Sequence, residues 1–270
     1  MKKSRKILII VLVVVLLVLS LVAVILFLNH KEQEEIQKQE EEAIINAEEN
    51  FKKLFLNLEY SENENDAVTL SYQMEKTEQG KFEVDANVPL LNIETDAAIA
   101  VNDEINNLFG KKLLEVVKES AVHTKYSVDY IAYTNNDIIS LIIKATLKEG
   151  SNPQRLIVQT YNYSLKENKL LSLEEYIDLM DLNKSEIQTQ ITNYIREKSA
   201  NTDMNLAQEY NLYVRDVRSE EYLIENVKNY YIGQDGKLYI VFAYGNTNFT
   251  ETVDVIIVNS SEEWKEKVEA

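Results

Sequence analysis

The sequence contains no cysteine, two prolines, six glycines and two histidines among 270 residues. The lack of cysteine excludes disulfides, thiolate metal sites and thiol nucleophiles together. His30 and His123 are too far apart in the chain to form a local zinc-binding pair, and no H-E-x-x-H motif occurs. The glycines form no Walker A loop, dinucleotide fingerprint or G-x-S-x-G elbow. We therefore expect no cofactor, no metal and no catalytic residue set, which predicts that the chain is not an enzyme.

One long apolar segment, residues 7–28, contains no charge and only Ser20 as a polar residue. A helix of this length spans a hydrocarbon core of about 30 Å. Four cations precede it (Lys2, Lys3, Arg5 and Lys6), and an excess of Lys and Arg marks the cytoplasmic flank. We expect a cytoplasmic tail at 1–6, a transmembrane helix at 7–28 and an extracytoplasmic remainder, which makes a single-pass protein of the cell membrane.

Two alternatives to a retained anchor exist for this segment. A cleaved signal peptide has a shorter apolar stretch and a small-residue A-x-A cleavage site, and residues 25–31 (ILFLNHK) contain no such site. A buried core helix would need polar positions for a solvated face. Both alternatives fit the segment less well than a membrane anchor does.

The chain is strongly acidic, with 45 acidic and 28 basic residues. Four cations and no acid precede the apolar segment, which leaves 24 basic and 45 acidic residues after it, a net charge of −21. This sign repels nucleic-acid phosphates and anionic lipid headgroups, so we expect no nucleic-acid partner. It favours cations or basic proteins, although many outer-surface domains are acidic merely because charge keeps them soluble.

Residues 29–60 have the pattern of a helical stalk. The stretch begins with many glutamates and then gains apolar residues three, four or seven positions apart: Ile36, Ala43, Ala47, Phe51, Leu54 and Leu58. A coiled-coil stalk would make a homodimer, but fewer than four clean heptads are present. A helix that leads from the membrane and docks on its own domain is the preferred interpretation. Residues 61–66 (SENEND) are a polar linker.

Beyond the linker the sequence predicts an α+β fold with an antiparallel β-sheet and packed helices. We divide this part into a first α+β portion, 61–150, and a second, 151–270, which form one continuous unit. The first strands are Ala67–Lys76 and Lys81–Leu91, joined near Gly80. A helix over Thr95–Ser120 follows, with Thr95 as its N-cap and Gly110 weakening its middle. Its predicted apolar face consists of Ile99, Ile105, Leu108, Leu113 and Val117.

Hairpin strands and shorter helices make up the rest of the predicted domain. Ser172 and Glu175 form a capping box. The remaining predicted elements are strands at Lys125–Tyr133, Ile138–Leu147, Arg155–Leu165, Asn229–Ile232, Lys237–Phe242 and Thr252–Val258, and helices at Lys184–Lys198, Ser219–Val227 and around Trp264.

Several of these segments resemble the extracytoplasmic domain family of the anti-sigma-V factor RsiV and the accessory, non-catalytic module of the peptidoglycan deacetylase PdaC. The resemblance spans about residues 65–260. It is carried by VPLL at 88–91, AVNDEIN at 100–106, ISL at 139–141, YNYSL at 161–165, KLLSLEEY at 169–176 and GKLYIVF at 236–242.

This resemblance implies a non-catalytic binding domain, and the anti-sigma member of the family senses lysozyme. The loop at 242–249 (FAYGNTNF) departs from the family pattern because it lacks a proline. The six residues before the apolar segment are too few to fold around a sigma factor, so we do not expect an anti-sigma role.

Tyrosine is the abundant aromatic side chain, with 16 copies. Its apolar ring and polar tip suit glycan or protein surfaces, and it is also a common structural residue of strands. The loop 244–250 is the preferred ligand-binding candidate, because loops on a rigid sheet often carry function. The candidate ligand-binding residues are Tyr244, Asn246, Asn248, Phe249, Tyr161 and Tyr163.

Three functions are open at this point. The preferred hypothesis is a binding or sensing domain at the bacterial cell envelope, for cell-wall glycan or a basic wall-active protein. The second is a membrane-anchored accessory or scaffold protein that pairs with another membrane protein. The third is a carboxylate-dependent wall hydrolase, since acidic pairs are abundant in the sequence.

Overall fold

The computed structural model describes residues 67–202 and 213–258, together with Lys31 and Ala207. All elements below belong to the compact unit Phe51–Ala270. The expected tail (1–6), transmembrane helix (7–28) and linker (61–66) lie outside the described residues, as do the stalk except Lys31 and the helix around Trp264. Among the described helices, none has the length and apolar character needed to cross a membrane.

A six-stranded sheet forms the larger layer of the described domain, in the order β1-β2-β3-β4-β5-β6. Neighbouring strands pair antiparallel, except that β2 and β3 pair parallel. The strands are β1 (Val68–Glu78), β2 (Phe82–Leu91), β3 (Thr124–Asn135), β4 (Ile138–Glu149), β5 (Arg155–Ser164) and β6 (Lys169–Leu170).

The parallel pair corrects the expectation of an antiparallel sheet. The predicted hairpins β1–β2, β3–β4 and β4–β5 are confirmed, and their turns contain residues with positive φ such as Gly80, Asn136 and Asp137. Between β2 and β3, however, the chain crosses the sheet through helices. A crossover of this length returns the next strand in the same direction as the first. The sheet is therefore mixed.

The crossover contains helix α1 (Asp96–Ile105), a π-helical turn (Asn106–Gly110) and helix α2 (Lys111–Glu119). Thr95 caps α1 as predicted, because its hydroxyl accepts a hydrogen bond from the Ala98 amide at 3.2 Å. The predicted apolar face is partly wrong, since Ile99 and Leu108 are about half exposed, at 54% and 49%. The buried row is instead Ala98, Val101, Ile105, Phe109, Leu113 and Val116.

The second half of the domain supplies helices α3 (Leu173–Leu179) and α4 (Lys184–Ala200) and a three-stranded antiparallel sheet. The strands of this sheet are β7 (Asn229–Ile232), β8 (Leu238–Ala243) and β9 (Val253–Ile257). Ser172 and Glu175 form the predicted capping box on α3. The helix predicted over Ser219–Val227 is wrong, because two separate 3-10 turns, Glu220–Tyr222 and Ile224–Asn226, occupy that stretch.

The two faces of the large sheet are covered differently. One face packs against α1 and α2 and holds the main core, which includes Val84, Tyr126, Leu141 and Tyr163. On the other face, Ile131, Ile142 and Val158 pack against Tyr231, Val241 and Val255 of the small sheet. These contacts lie on β3 to β5. The small sheet thus covers one half of this second face.

Buried polar side chains join the two sheets. The Ser140 hydroxyl accepts from the Ile232 amide at 3.0 Å and donates to the Asn162 carbonyl oxygen at 2.6 Å. The Asn162 amide donates to the Tyr230 carbonyl at 2.7 Å. Because β7 receives these bonds along its backbone, its polar groups are satisfied without a further strand. The small sheet is therefore held in one position on the large one.

Candidate functional site

The loop predicted to bind a ligand closes an edge of the large sheet. Asn246 lies beside β5, and its side-chain oxygen accepts from the Val158 amide at 2.9 Å while its nitrogen donates to the Val158 carbonyl at 2.8 Å. The Arg155 guanidinium donates to the carbonyls of Gly245 and Asn246 at 3.0 and 3.1 Å. The Asn246 amide therefore replaces the neighbouring strand that β5 lacks at this point, which is a structural role.

The other predicted loop residues divide between core and surface. Tyr244 is 3% exposed, so its ring is part of the interior. Asn248 is exposed, and its side chain reaches only the neighbouring Thr247 hydroxyl at 3.4 Å. Phe249 is 50% exposed and lies against the Arg155 guanidinium, 5.4 Å from ring centre to Cζ. Of the loop residues predicted to bind a ligand, Asn248 and Phe249 are the exposed ones.

Tyr161 and Tyr163 lie under the helical layer, at 4% and 0% exposure. The Tyr163 hydroxyl and the Thr95 hydroxyl are hydrogen-bonded at 2.6 Å, which ties β5 to the start of α1. Burial, together with the charge of Glu104, raises the pKa of Tyr161. Neither ring is at the surface, so these two predicted site residues serve the core and are separate from the loop.

Sequence reasoning missed a buried ion pair behind the loop. The Arg215 guanidinium donates to both carboxylate oxygens of Asp254, at 2.5 and 2.6 Å, and the Tyr244 hydroxyl donates to the same carboxylate at 2.6 Å. The Tyr213 ring stacks on Tyr244 at 3.9 Å, and the Tyr222 hydroxyl lies 3.1 Å from that of Tyr244.

Burial opposes the charge on Arg215, but the hydrogen bonds and charge of Asp254 outweigh it and raise its pKa. The Arg215 guanidinium, the Asp254 carboxylate and the Tyr244 hydroxyl therefore all have hydrogen-bond partners within this cluster. The cluster joins the segment before the 3-10 turns to β9. No sequence signal pointed to it, because its two charged residues are 39 positions apart.

An open groove lies on the half of the second face that the small sheet leaves uncovered. It has a volume of about 320 Å³ and is formed by alternate residues of β1 to β4, with Gln154 at one end. We call it the acidic groove. Its polar lining residues are Glu75, Thr77, Glu83, Asp85, Lys125, Ser127, Thr146 and Gln154.

The carboxylates of the acidic groove differ in how they are compensated. Glu83 has two basic neighbours, Lys125 at 2.7 Å and His123 at 3.4 Å, and the hydrogen bond from Lys125 lowers its pKa. Glu75 and Asp85 lie directly opposite each other on β1 and β2. Within the part of the chain that the structure describes, neither side-chain carboxylate has an ion-pair or hydrogen-bond partner, although both residues are paired through their backbones in the sheet. Two like charges thus face each other without a cation between them.

Behind Asp85 lies a second set of charged and polar groups. Asp129 accepts a hydrogen bond from the Asn87 side-chain nitrogen at 3.0 Å, and burial followed by the charge of Asp85 raises its pKa. Lys144, directly opposite Asp129 on β4, is only 8% exposed, and burial lowers its pKa. Perturbed charges beside a groove are typical of binding sites as well as of structural ion pairs.

The sequence contained a usable signal for this groove. The hairpin β1–β2 was predicted, and a hairpin's register follows from its turn. Glu75 would then face Asp85, and Thr77 would face Glu83, as the structure shows. The openness of this face could not be predicted, because it depends on where the small sheet ends.

The groove places Glu75 and Asp85 opposite each other on neighbouring strands. No three His, Asp or Glu side chains of the described residues come close enough together to hold a metal ion. The groove offers carboxylate oxygens in pairs, an arrangement suited to hydrogen-bonding cations.

No family model and no curated protein matches this chain. Among solved structures, a DUF3298 family protein from Pseudomonas aeruginosa PAO1 is 8% identical with a TM-score of 0.41, and the match covers 70% of this chain and 86% of that one. A DUF3298 member from Bacteroides fragilis is 10% identical with a TM-score of 0.34, covering 65% and 80%. Both of these structural neighbours are DUF3298 proteins.

Proposed function

We propose that this protein is a single-pass, membrane-anchored binding module at the bacterial cell envelope, and that its extracytoplasmic domain binds a basic wall-active protein through the acidic groove. The observation that carries the proposal is the exposed Glu75–Asp85 pair, which has no compensating cation among the described residues. Like charges that face each other on neighbouring strands repel each other and destabilise the sheet. A partner that neutralises them removes this repulsion, and the free energy recovered contributes to binding.

The exposure of the aromatic rings favours a protein partner over a glycan. Sugar-binding surfaces commonly use exposed aromatic rings, which stack on the apolar face of the sugar. Of the tyrosines predicted on or beside strands, seven are buried and Tyr239 is only partly exposed: Tyr126, Tyr130, Tyr161, Tyr163, Tyr230, Tyr231 and Tyr244. Among the described residues, Phe249 is the only Phe or Tyr whose ring is exposed, at 50%. A carboxylate-lined sheet face matches a basic surface better.

Two sequence features agree with this proposal. The net charge of −21 after the apolar segment would attract a basic partner from a distance in a salt-dependent manner. The resemblance to RsiV-like domains and to the PdaC accessory module supports an outer binding role without catalysis. The membrane anchor itself rests on residues 7–28 and their basic flank.

Binding of lysozyme, a basic wall-active enzyme, tests the proposal. The full-length chain in a neutral detergent would be immobilised and exposed to lysozyme, to cytochrome c as a basic protein unrelated to the wall, and to purified peptidoglycan. We expect saturable lysozyme binding at low salt that weakens as salt rises. Binding of peptidoglycan but of neither basic protein would favour the glycan alternative, and binding of nothing would contradict the proposed function.

The scaffold and hydrolase alternatives have their own readouts. Crosslinking in membranes would trap one defined membrane protein if the chain is a scaffold. Zymography of the purified chain on peptidoglycan would show clearing if its carboxylates hydrolyse the wall. We expect neither result.

A further inference from the structure

Strand β1 forms an outer edge of the large sheet, because β2 is the only described strand that pairs with it. It is 11 residues long. An edge strand presents unpaired N–H and C=O groups, and proteins usually shorten, cover or block such edges. Elsewhere in this domain side chains cover them: Asn246 bonds to Val158 of β5, and the Ser140 and Thr160 hydroxyls accept from amides of β7. Among the described residues, none covers the outer edge of β1 in this way.

The hydrogen-bond register shows which backbone groups of β1 are free. The Lys81 carbonyl accepts from the Thr124 amide of β3 at 2.9 Å, so the odd-numbered residues of β2 point their backbone groups at β3 and the even-numbered ones at β1. From Tyr72 to Glu78, even-numbered residues of β1 pair with even-numbered residues of β2. The odd-numbered residues of this stretch therefore point their backbone groups outward. They are Gln73, Glu75 and Thr77, and each is exposed.

The two faces of the sheet differ in chemistry beside this edge. The side chains of Glu75 and Thr77 line the acidic groove, and the Glu75 carboxylate has no partner among the described residues. Leu70, Tyr72 and Met74 lie on the opposite face, half-buried against the main core. A strand added at this edge would have a carboxylate beside one of its faces and an apolar row beside the other.

We propose that the outer edge of β1, from Gln73 to Thr77, binds an extended segment of the basic partner as an added strand, with basic residues on the groove face and apolar residues on the helical face. This inference rests on the proposed function and specifies the partner segment and how it binds. Hydrogen bonds to the outward backbone groups of β1 supply affinity, and alternate side chains supply specificity. The residue opposite Glu75 has its Cβ about 5 Å away, so a lysine or arginine there reaches the carboxylate.

A second copy of the chain fits this edge less well than a basic segment does. Antiparallel pairing of two β1 edges over all the outward residues would place Glu75 opposite Glu75 of the second copy, and Gln73 opposite Thr77. Like charges directly opposite each other destabilise a sheet. The register shift between Leu70 and Tyr72 also bends the strand, which hinders extension of a long self-pairing. Charge therefore favours a basic occupant over a second acidic strand.

The test measures binding of labelled peptides to the full-length chain in neutral detergent by fluorescence polarisation. The probe is a heptapeptide of alternating lysine and valine, and two further forms carry backbone N-methyl groups on the lysine nitrogens or on the valine nitrogens. In an added strand, the N–H groups of one alternating set point at β1 and those of the other point away. We expect methylation of one set to weaken binding about tenfold and methylation of the other set to change it less than about twofold. The sensitive set shows the strand direction: lysine for antiparallel and valine for parallel pairing. Equal affinities of the two methylated forms would overturn the inference.

Proline variants of the chain test the same edge from the other side. Gln73→Pro and Thr77→Pro each remove an outward N–H and keep the inward bonds of β1, a position where a strand tolerates proline. We expect each to weaken binding of the unmethylated peptide about tenfold. Asp96→Pro is the matched control, because it lies at the first residue of α1, where Thr95 is already extended and proline is accepted. It should change the affinity less than about twofold. Urea unfolding identifies the folded variants, and folded Gln73→Pro and Thr77→Pro chains with parental affinity would overturn the inference.

The outcomes separate this inference from the proposed function. If the parent chain binds lysozyme but does not distinguish the two methylated peptides, strand addition at β1 is wrong while the binding function stands. If the parent chain binds neither lysozyme nor any of the basic peptides, the proposed function fails first.

Discussion

The buried pair of Arg215 and Asp254 allows a sharp prediction about stability. Replacing Asp254 with Asn removes the charge that compensates Arg215, whose side chain is only 12% exposed. An uncompensated buried charge costs about 3–5 kcal/mol. For a domain of about 200 residues, the lower value corresponds to a fall in Tm of about 6–12 °C.

The double variant distinguishes a charge effect from simple loss of packing. Arg215→Met combined with Asp254→Asn removes both charges while keeping similar volumes, so much of the lost stability should return. Tyr244→Phe deletes one hydrogen bond to Asp254, at 2.6 Å, and should cost about 1–3 kcal/mol.

Urea unfolding followed by far-UV circular dichroism measures all of these variants. The expected order of stability is parent, then the double variant, then Asp254→Asn. An Asp254→Asn variant within 1 kcal/mol of the parent would refute the reasoning. The single variant Arg215→Met completes the comparison. If the double variant loses as much stability as Arg215→Met and Asp254→Asn lose together, the two charges are not coupled and the reasoning is also refuted.

Three further predictions concern the loop, the π-helical turn and the capping box. Asn246→Ala should destabilise the domain by about 1–3 kcal/mol because it leaves both polar groups of Val158 unpaired, whereas Asn248→Ala should change stability by less than about 0.5 kcal/mol in the same urea assay. Gly110→Ala should lower the Tm because the added Cβ would overlap the Tyr72 hydroxyl and the Asn106 side chain. Adding Tyr72→Phe to this variant should restore part of the lost Tm, and a failure to restore any of it would contradict steric overlap as the cause. Hydrogen bonds from the Ser172 backbone amide and, second in size, from Lys169 lower the pKa of Glu175 from 4.5 to about 2. The ionised Glu175 carboxylate therefore stabilises the fold above pH 4.5, and this stabilisation is lost as the pH falls to about 2. Urea midpoints across that range should fall less in Glu175→Gln than in the parent.

Local signals in the sequence predicted the local structure well. Thr95 and Ser172 act through neighbouring backbone groups, so their roles follow from short-range chemistry. The hairpins follow for the same reason. The parallel pairing of β2 with β3 depends on how a 32-residue connection crosses the sheet, which no local pattern specifies.

Longer-range packing decided the features that the sequence did not predict. The π-helical turn at Asn106–Gly110 changes the helix phase, so the buried face differs from the one expected from regular spacing. The loop 244–250 has the composition of a binding loop, but Asn246 is engaged by β5. The Arg215–Asp254 pair and the extent of the small sheet depend on packing between segments that are distant in the sequence.

Carboxylate footprinting tests the central claim most directly. The full-length chain would be labelled with a carbodiimide and glycine ethyl ester, with and without bound lysozyme, and each carboxylate would be read by mass spectrometry. We predict that lysozyme strongly reduces labelling of Glu75 and Asp85 and leaves Glu119 unchanged. Full labelling of Glu75 and Asp85 in a complex that demonstrably contains lysozyme would contradict the account.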